Sequence, residues 1–292
     1  MKTSVAARFS APVFILLIAS ACTTQRVLFD DFNYTNTQQL EQQGWILRSA
    51  PGWPGIPGAT WGGISVPGGG IVRMTSSTDG TPANTHQTQL CHQRKYLDGT
   101  YAARVRFTDA PVAGPNGDQV VETFYMISPI KKALDPVYGE ADFEYLPNGG
   151  WGKTGPTFFF TTWYTFQLEP WIADNMSTNI AGALDGWHTL VVQMGNGNVT
   201  YFVDGKQTAQ HGGKFYPRSI MSLNFNLWFV RGGTLVSPDT RTYIEDIDWV
   251  YHRADKVLTP EAVEAEVANL RRTQVAFRDT VPDRGLSSPC NF

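Results

Sequence analysis

The stretch Glu140-Ala141-Asp142-Phe143-Glu144 puts an acid at every second position. Side chains of a β-strand alternate between its two faces, so the three acids share one face while Ala141 and Phe143 share the other. One side of this strand therefore reads as packed and the other as an exposed row of carboxylates. Stacking three carboxylates on one face costs stability, because like charges at close range raise each other's pKa. A sheet built only for support gains nothing from that cost. The same pentapeptide also occurs on ordinary solvated strands, so its surroundings decide its meaning.

Outward from residue 140 the chain reads as short strands and turns as far as residue 253. Strand patterns cover 99–107 (GTYAARVRF), 120–127, 142–146 and 157–162, then 187–193, 199–203, 221–230 and 243–251. The turns between them carry Gly, Asn, Asp and Pro: Pro115-Asn116-Gly117-Asp118, Pro147-Asn148-Gly149-Gly150, Asn196-Gly197-Asn198 and Asp204-Gly205. Many short strands with turns at modest spacing predict a β-sandwich or jelly roll. Residues 52–70, rich in Gly, Pro and Trp, read as a long ordered loop beside a cleft rather than as a strand.

Composition agrees. The 292 residues are enough for one large core. Aromatic residues make up 13% and charged residues only 17%, with 28 Gly and 18 Pro, a mix that suits an all-β domain and not a helical bundle or a disordered chain. The net charge of −3 gives no electrostatic reason to expect nucleic acid. Nine Trp and eleven Tyr are many for this length. Most are packing residues, but flat rings also stack on the C–H faces of sugars. Glycoside hydrolysis uses two carboxyl groups, one ionised and one protonated, and a row of acids on one strand face supplies them.

The two ends differ from the middle. Lys2 and Arg8 precede an apolar run from Ala11 to Ile18 that is too short to span a bilayer, and Ala19-Ser20-Ala21 reads as a small-residue cleavage site. Residues 1–22 are thus expected to be a signal peptide. Cys22 follows directly, so the segment also resembles a lipoprotein lipobox, with Ala19 in place of the usual Leu. Export is expected in either case, with a cell-envelope lipoprotein anchored at Cys22 or a secreted protein as the outcome. The remaining cysteines are Cys91 and Cys290. Lipidation of Cys22 leaves them as a pair for an oxidising compartment; a free Cys22 leaves one thiol odd. Residues 26–253 are expected to form the sandwich domain and 254–292 a C-terminal tail. In that tail Thr259-Pro260-Glu261 reads as an N-cap, a Pro at the first helical position and a first-turn acid. Ala262, Val263, Val267 and Leu270 then recur at helical spacing before Arg271-Arg272. One amphipathic helix packed on the sandwich is predicted.

Several blocks together resemble glycoside hydrolase family 16, the group of lichenases, laminarinases, agarases and xyloglucan transglycosylases. Gly99 to Phe107 is similar to the family's GxYexRxr strand, and Thr123-Phe124-Tyr125-Met126-Ile127-Ser128 to the strand before the catalytic one. Gly186-Trp187-His188-Thr189 with Tyr201-Phe202-Val203-Asp204-Gly205 resembles FHTY…WYVDG, and residues 221–228 (MSLNFNLW) resemble the late mxLxxNLW strand. The segment from Tyr243 to Tyr251 is similar to the last sandwich strand. The blocks fall in family order over roughly residues 28–253. The resemblance implies an all-β, concanavalin A-like β-sandwich (jelly roll), here with a short C-terminal helix, and a cleft on one sheet.

The resemblance also implies roles. Glu140 matches the nucleophile, Asp142 the assisting acid and Glu144 the general acid/base of a retaining, endo-acting hydrolase of β-linked polysaccharide. A transglycosylase of the same family and a lectin-like binding protein on the same fold are the alternatives, although the latter has no use for three intact acids. The single residue between Asp142 and Glu144 is the form shared by lichenases and xyloglucan enzymes; laminarinases and agarases usually insert one more and form a bulge. Ala141 stands where Ile or Val is usual and Gly139 where an acid is usual, so the polymer is left unnamed. Asn226 and Trp228 share the strand face where the family places cleft residues. Trp151 and Trp163 are further candidate sugar platforms, although packing is the plainer reading for them and for Trp171. His188 reads as a structural histidine. No cofactor is required and no metal-ligand spacing is present. The family admits a structural calcium, which the sequence does not locate. A monomer that meets a membrane only through Cys22 is expected.

Overall fold

The computed structural model describes residues 25–290 together with Met1. The expected leader, its cleavage site and Cys22 lie outside the described residues. Seven antiparallel strands form one sheet, here the cleft sheet. Their order is Ile172–Ala181, Thr157–Gln167, Glu140–Leu146, Val120–Ile127, Ser222–Phe229, His86–His92 and Trp45–Leu47. The back sheet runs Lys206–Gly212, Asn198–Val203, Gly186–Gly195, Gly99–Phe107 and Arg241–Ala254. The far side of that last strand is shared. One half pairs with Ile71–Thr78, which carries Ile64–Gly68, and the other half with Val27–Asp30, which carries Phe277–Asp279.

The turn residues act as the sequence predicts. Asn196 and Gly197 both take positive φ, 53° and 74°, as do Asp204 and Gly205 at 48° and 78°. Two-residue hairpins with φ positive at both positions match the right-handed twist of the strands they join. The segment 52–70 is less loop-like than expected, because it holds two short strands. Thr60–Trp61 lies parallel to the start of His86–His92, and Ile64–Gly68 is antiparallel to Ile71–Thr78. The glycines that made it look like a loop allow close approach instead: Gly63 has φ 86°, and a Cβ there would lie 2.2 Å from the Thr75 carbonyl oxygen.

The core lies between the sheets. Phe124, Phe143, Phe158 and Phe225 descend from the cleft sheet, and Val105, Leu190, Tyr201 and Ile247 rise from the back sheet. Phe143 is its hub, with ring centroids 6.0 Å from Phe124, 5.9 Å from Phe158 and 5.2 Å from Tyr201. Ala141 and Phe143 are fully buried, so the packed face expected of the acid strand is present.

The predicted helix spans Pro260–Arg272, with the Thr259 hydroxyl accepting from the Ala262 N–H at 3.3 Å. Val263, Val267 and Leu270 bury against Phe29, Val191, Trp249 and Tyr251 on the outer face of the back sheet. Each aliphatic side chain so buried contributes about 1.5–3 kcal/mol. The helix is therefore on the opposite side of the molecule from the acids. Beyond it the chain adds Phe277–Asp279 to Val27–Asp30 and closes a disulfide from Cys290 to Cys91, the pairing that one of the two sequence alternatives left open.

Candidate active site

The acid strand sits in the middle of the cleft sheet. On one side Glu140, Asp142 and Glu144 pair with Ile127, Tyr125 and Thr123; on the other they pair with Trp163, Thr161 and Phe159. Neither ladder shifts register along the acid strand, so the alternation of acids is uninterrupted. The nearest irregularity falls between Trp163 and Thr165 on the next strand. Directly paired residues share a face of the sheet. The acids therefore rise together among Tyr125, Thr123, Trp163 and Thr161.

Each carboxyl has its own surroundings. Glu140 is partly buried, and the Tyr138 hydroxyl donates to its Oε2. Asp142 is only 3% exposed, and its Oδ2 accepts from Trp163 Nε1 at 2.9 Å. Glu144 is partly buried, with Thr161 Oγ1 lying 3.5 Å from its Oε2. Burial pushes Glu140 up to about 7, against the opposing hydrogen bond from Tyr138. Burial and the nearby charge of Glu140 push Glu144 up to about 8. Asp142 is also raised well above the usual range, by burial first and by the charges of both glutamates next. Both glutamates are raised by burial, but their surroundings differ: Glu140 is opposed by the hydrogen bond from Tyr138, and Glu144 is raised further by the charge of Glu140. Carboxyl groups whose environments differ in this way can divide the roles of acid and base.

A cleft of about 520 Å³ runs over the three acids. All seven residues singled out by sequence line this space or the smaller recess that continues it: Glu140, Asp142, Glu144, Trp151, Trp163 and Trp228 in the former, Asn226 in the latter. The aromatic rings gather at two places. Trp163 meets Trp171 edge-on at 6.2 Å near the Glu140 end, and Trp151 packs 6.4 Å from Trp228 near the Glu144 end. Trp171, read from sequence as a packing residue, lies in the cleft wall with 55% of its surface exposed. Asn226 Nδ2 donates to the Tyr125 hydroxyl at 3.1 Å, and Gln89 Nε2 donates to the same hydroxyl at 2.7 Å. His188 is structural, as expected. Its Nδ1 meets Asp204 Oδ2 at 2.7 Å and its Nε2 the Leu184 carbonyl at 3.1 Å.

Some lining residues were not foreseen. Trp53 stacks on Phe166 at 5.5 Å and lines both parts of the cleft; its signal was the Trp- and Pro-rich loop that carries it. Asn175, Ser177 and Asn179 add a polar wall from the strand Ile172–Ala181, which lacks apolar alternation because it is an edge strand. Tyr138 had no signal, since it precedes the strand pattern. Among the described residues no group of three or more His, Cys, Asp or Glu is arranged to hold a metal ion.

Fold and site together define a concanavalin-like jelly roll with a carboxylate-floored cleft. No family model and no curated protein matches the chain, but solved structures do. A Bacillus licheniformis β-glucanase superposes with a TM-score of 0.59 at 16% identity, covering 79% of this chain and 99% of its own. A prokaryotic β-1,3-1,4-glucanase (lichenase) from a mouse hindgut metagenome gives 0.58 at 18% identity, with 78% and 99% covered. The κ-carrageenase of Pseudoalteromonas carrageenovora, solved with an oligotetrasaccharide of κ-carrageenan, gives 0.54 at 14%, with 82% and 99% covered. The fold is thus the jelly roll of family 16 glycoside hydrolases.

Proposed function

We propose that this chain is a family 16 glycoside hydrolase that cleaves a β-linked polysaccharide internally by double displacement. The observation that carries the reading is the unbroken acid strand on the cleft floor, which sets the two outer glutamates on one face in different surroundings, Glu140 accepting from Tyr138 and Glu144 lying beside Thr161. In the first step Glu144 donates its proton to the glycosidic oxygen as the bond from that oxygen to the anomeric carbon breaks. The Glu140 carboxylate attacks the same carbon and forms a glycosyl ester. In the second step Glu144, now ionised, takes a proton from water. The water oxygen bonds to the anomeric carbon, and Glu140 departs as a carboxylate. Asp142, held by Trp163, keeps a proton between the glutamates and limits the repulsion that ionising Glu140 creates. The open, aromatic-walled cleft supports endo action, because the rings offer flat apolar faces to successive sugars on both sides of the acids.

Export, with a lipid carried by Cys22, belongs to the same proposal. The disulfide between Cys91 and Cys290 supports an oxidising compartment.

The test is release of reducing ends from a panel of β-glucans, xyloglucan, galactans and xylans, with Glu140→Gln beside the wild type. Release by the wild type and none by the variant is expected. Tight retention on one polymer, with no release from any, overturns hydrolysis in favour of a lectin.

A further inference from the structure

Tyr138 lies just outside the acid strand, two residues before Glu140, and is fully buried. Its position is fixed on every side. The ring stands edge-on to Phe166 at 5.3 Å. The carbonyl accepts from Arg218 Nη2 at 3.0 Å, and the N–H donates to the Asp135 carbonyl at 3.2 Å. The next residue, Gly139, is clamped by Ser128, whose N–H and hydroxyl meet the Gly139 carbonyl while Ser128 Oγ accepts from the Gly139 N–H. The hydroxyl is aimed at Glu140 Oε2, to which it donates. Burial keeps that hydroxyl protonated, so it donates and does not compete for the proton.

We propose that Tyr138 is a positioning residue for the nucleophile: its bond to Oε2 of Glu140 fixes how the attacking carboxylate is turned. The inference rests on the role given to Glu140. A hydrogen bond made to the ionised form favours that form, and it restrains the carboxyl rotation that would spoil the line of attack. The other titratable groups around Glu140 are few. On its own strand they are Asp142 and Glu144. On the strand Val120–Ile127 it is Tyr125, which contacts Gln89 and Asn226, with Arg48 behind Gln89 at 2.8 Å. On the strand Thr157–Gln167 the facing side chain is Trp163, which is neutral.

The test is Tyr138→Phe, which keeps the ring, read by titrating the Glu140 carboxyl by carbon-13 NMR and by the pH dependence of kcat/KM. Loss of a hydrogen bond to a charged group is expected to move the Glu140 titration upward by about one pH unit. The acid limb of the rate profile should follow it. The expected kcat loss is about 10- to 100-fold, with KM within about threefold. An unmoved titration, or a moved titration with unchanged kcat, overturns the positioning role. Phe166→Leu loosens the ring's packing without touching the hydroxyl and should lower stability while leaving the titration in place; a shift there equal to that of Tyr138→Phe assigns the effect to packing and overturns the proposal. The titration needs no substrate, so a wild type that hydrolyses nothing would refute the proposed function while the Tyr138–Glu140 bond is still decided.

Discussion

Among single residues, the roles proposed for Glu140 and Glu144 fix the working pH to expect. Hydrolysis needs Glu140 ionised and Glu144 protonated. Burial raises Glu140 to about 7 and Glu144 to about 8, so kcat/KM should rise through the first value and fall through the second. A bell with its maximum between them is expected, and a profile flat from pH 5 to 9 would remove the assignment. Glu144→Gln should lose about 10²–10⁴-fold in rate and also lose the alkaline limb, because the group that titrates there is gone. The acid trio itself was legible in the sequence, since a period of two places like residues on one face whatever the rest of the chain does. The hydroxyl of Tyr138 was not, because a contact made from outside the strand leaves no periodic trace.

For strands and helices, legibility followed burial. The central strands Gly99–Phe107 and Val120–Ile127 have the bounds that their patterns predict, and the helix Pro260–Arg272 begins at the predicted cap. These elements carry apolar residues at their own period. The unforeseen ones are short or lie at edges, such as Trp45–Leu47, Thr60–Trp61 and Ile172–Ala181, where few side chains face a core and the period is weak. The acid strand shows the coupling of packing to site. Its carboxylates are held in line by Phe143 on the reverse face. Phe143→Ala should cost about 3–5 kcal/mol by denaturant unfolding, as aromatic truncations in a packed core do. A loss below about 1 kcal/mol would mean that the ring is not the hub its neighbours suggest.

For the molecule as a whole, both ends of the described chain are fastened down. Val27–Asp30 is gripped between Arg241–Ala254 and Phe277–Asp279, and Cys290 is bonded back to Cys91. The disulfide closes a loop of 199 residues, which constrains the unfolded chain more than a short loop does. The lipid proposed at Cys22 is tested by fractionating cells that express Cys22→Ser. The variant should leave the membrane fraction for the soluble one, and an unchanged distribution would reject the anchor. The grip on Val27 then takes on a second meaning. Only four residues, Thr23 to Arg26, lie between Cys22 and the strand Val27–Asp30, so the five Cα–Cα steps reach at most about 17 Å when fully drawn out. If the proposed lipid is present, so short a leash would keep the proposed enzyme from foraging. With the proposed lipid in place, the proposed hydrolase would work within a molecular diameter of its own membrane, on polymer brought or held there, and its fragments would be released beside the cell that made it.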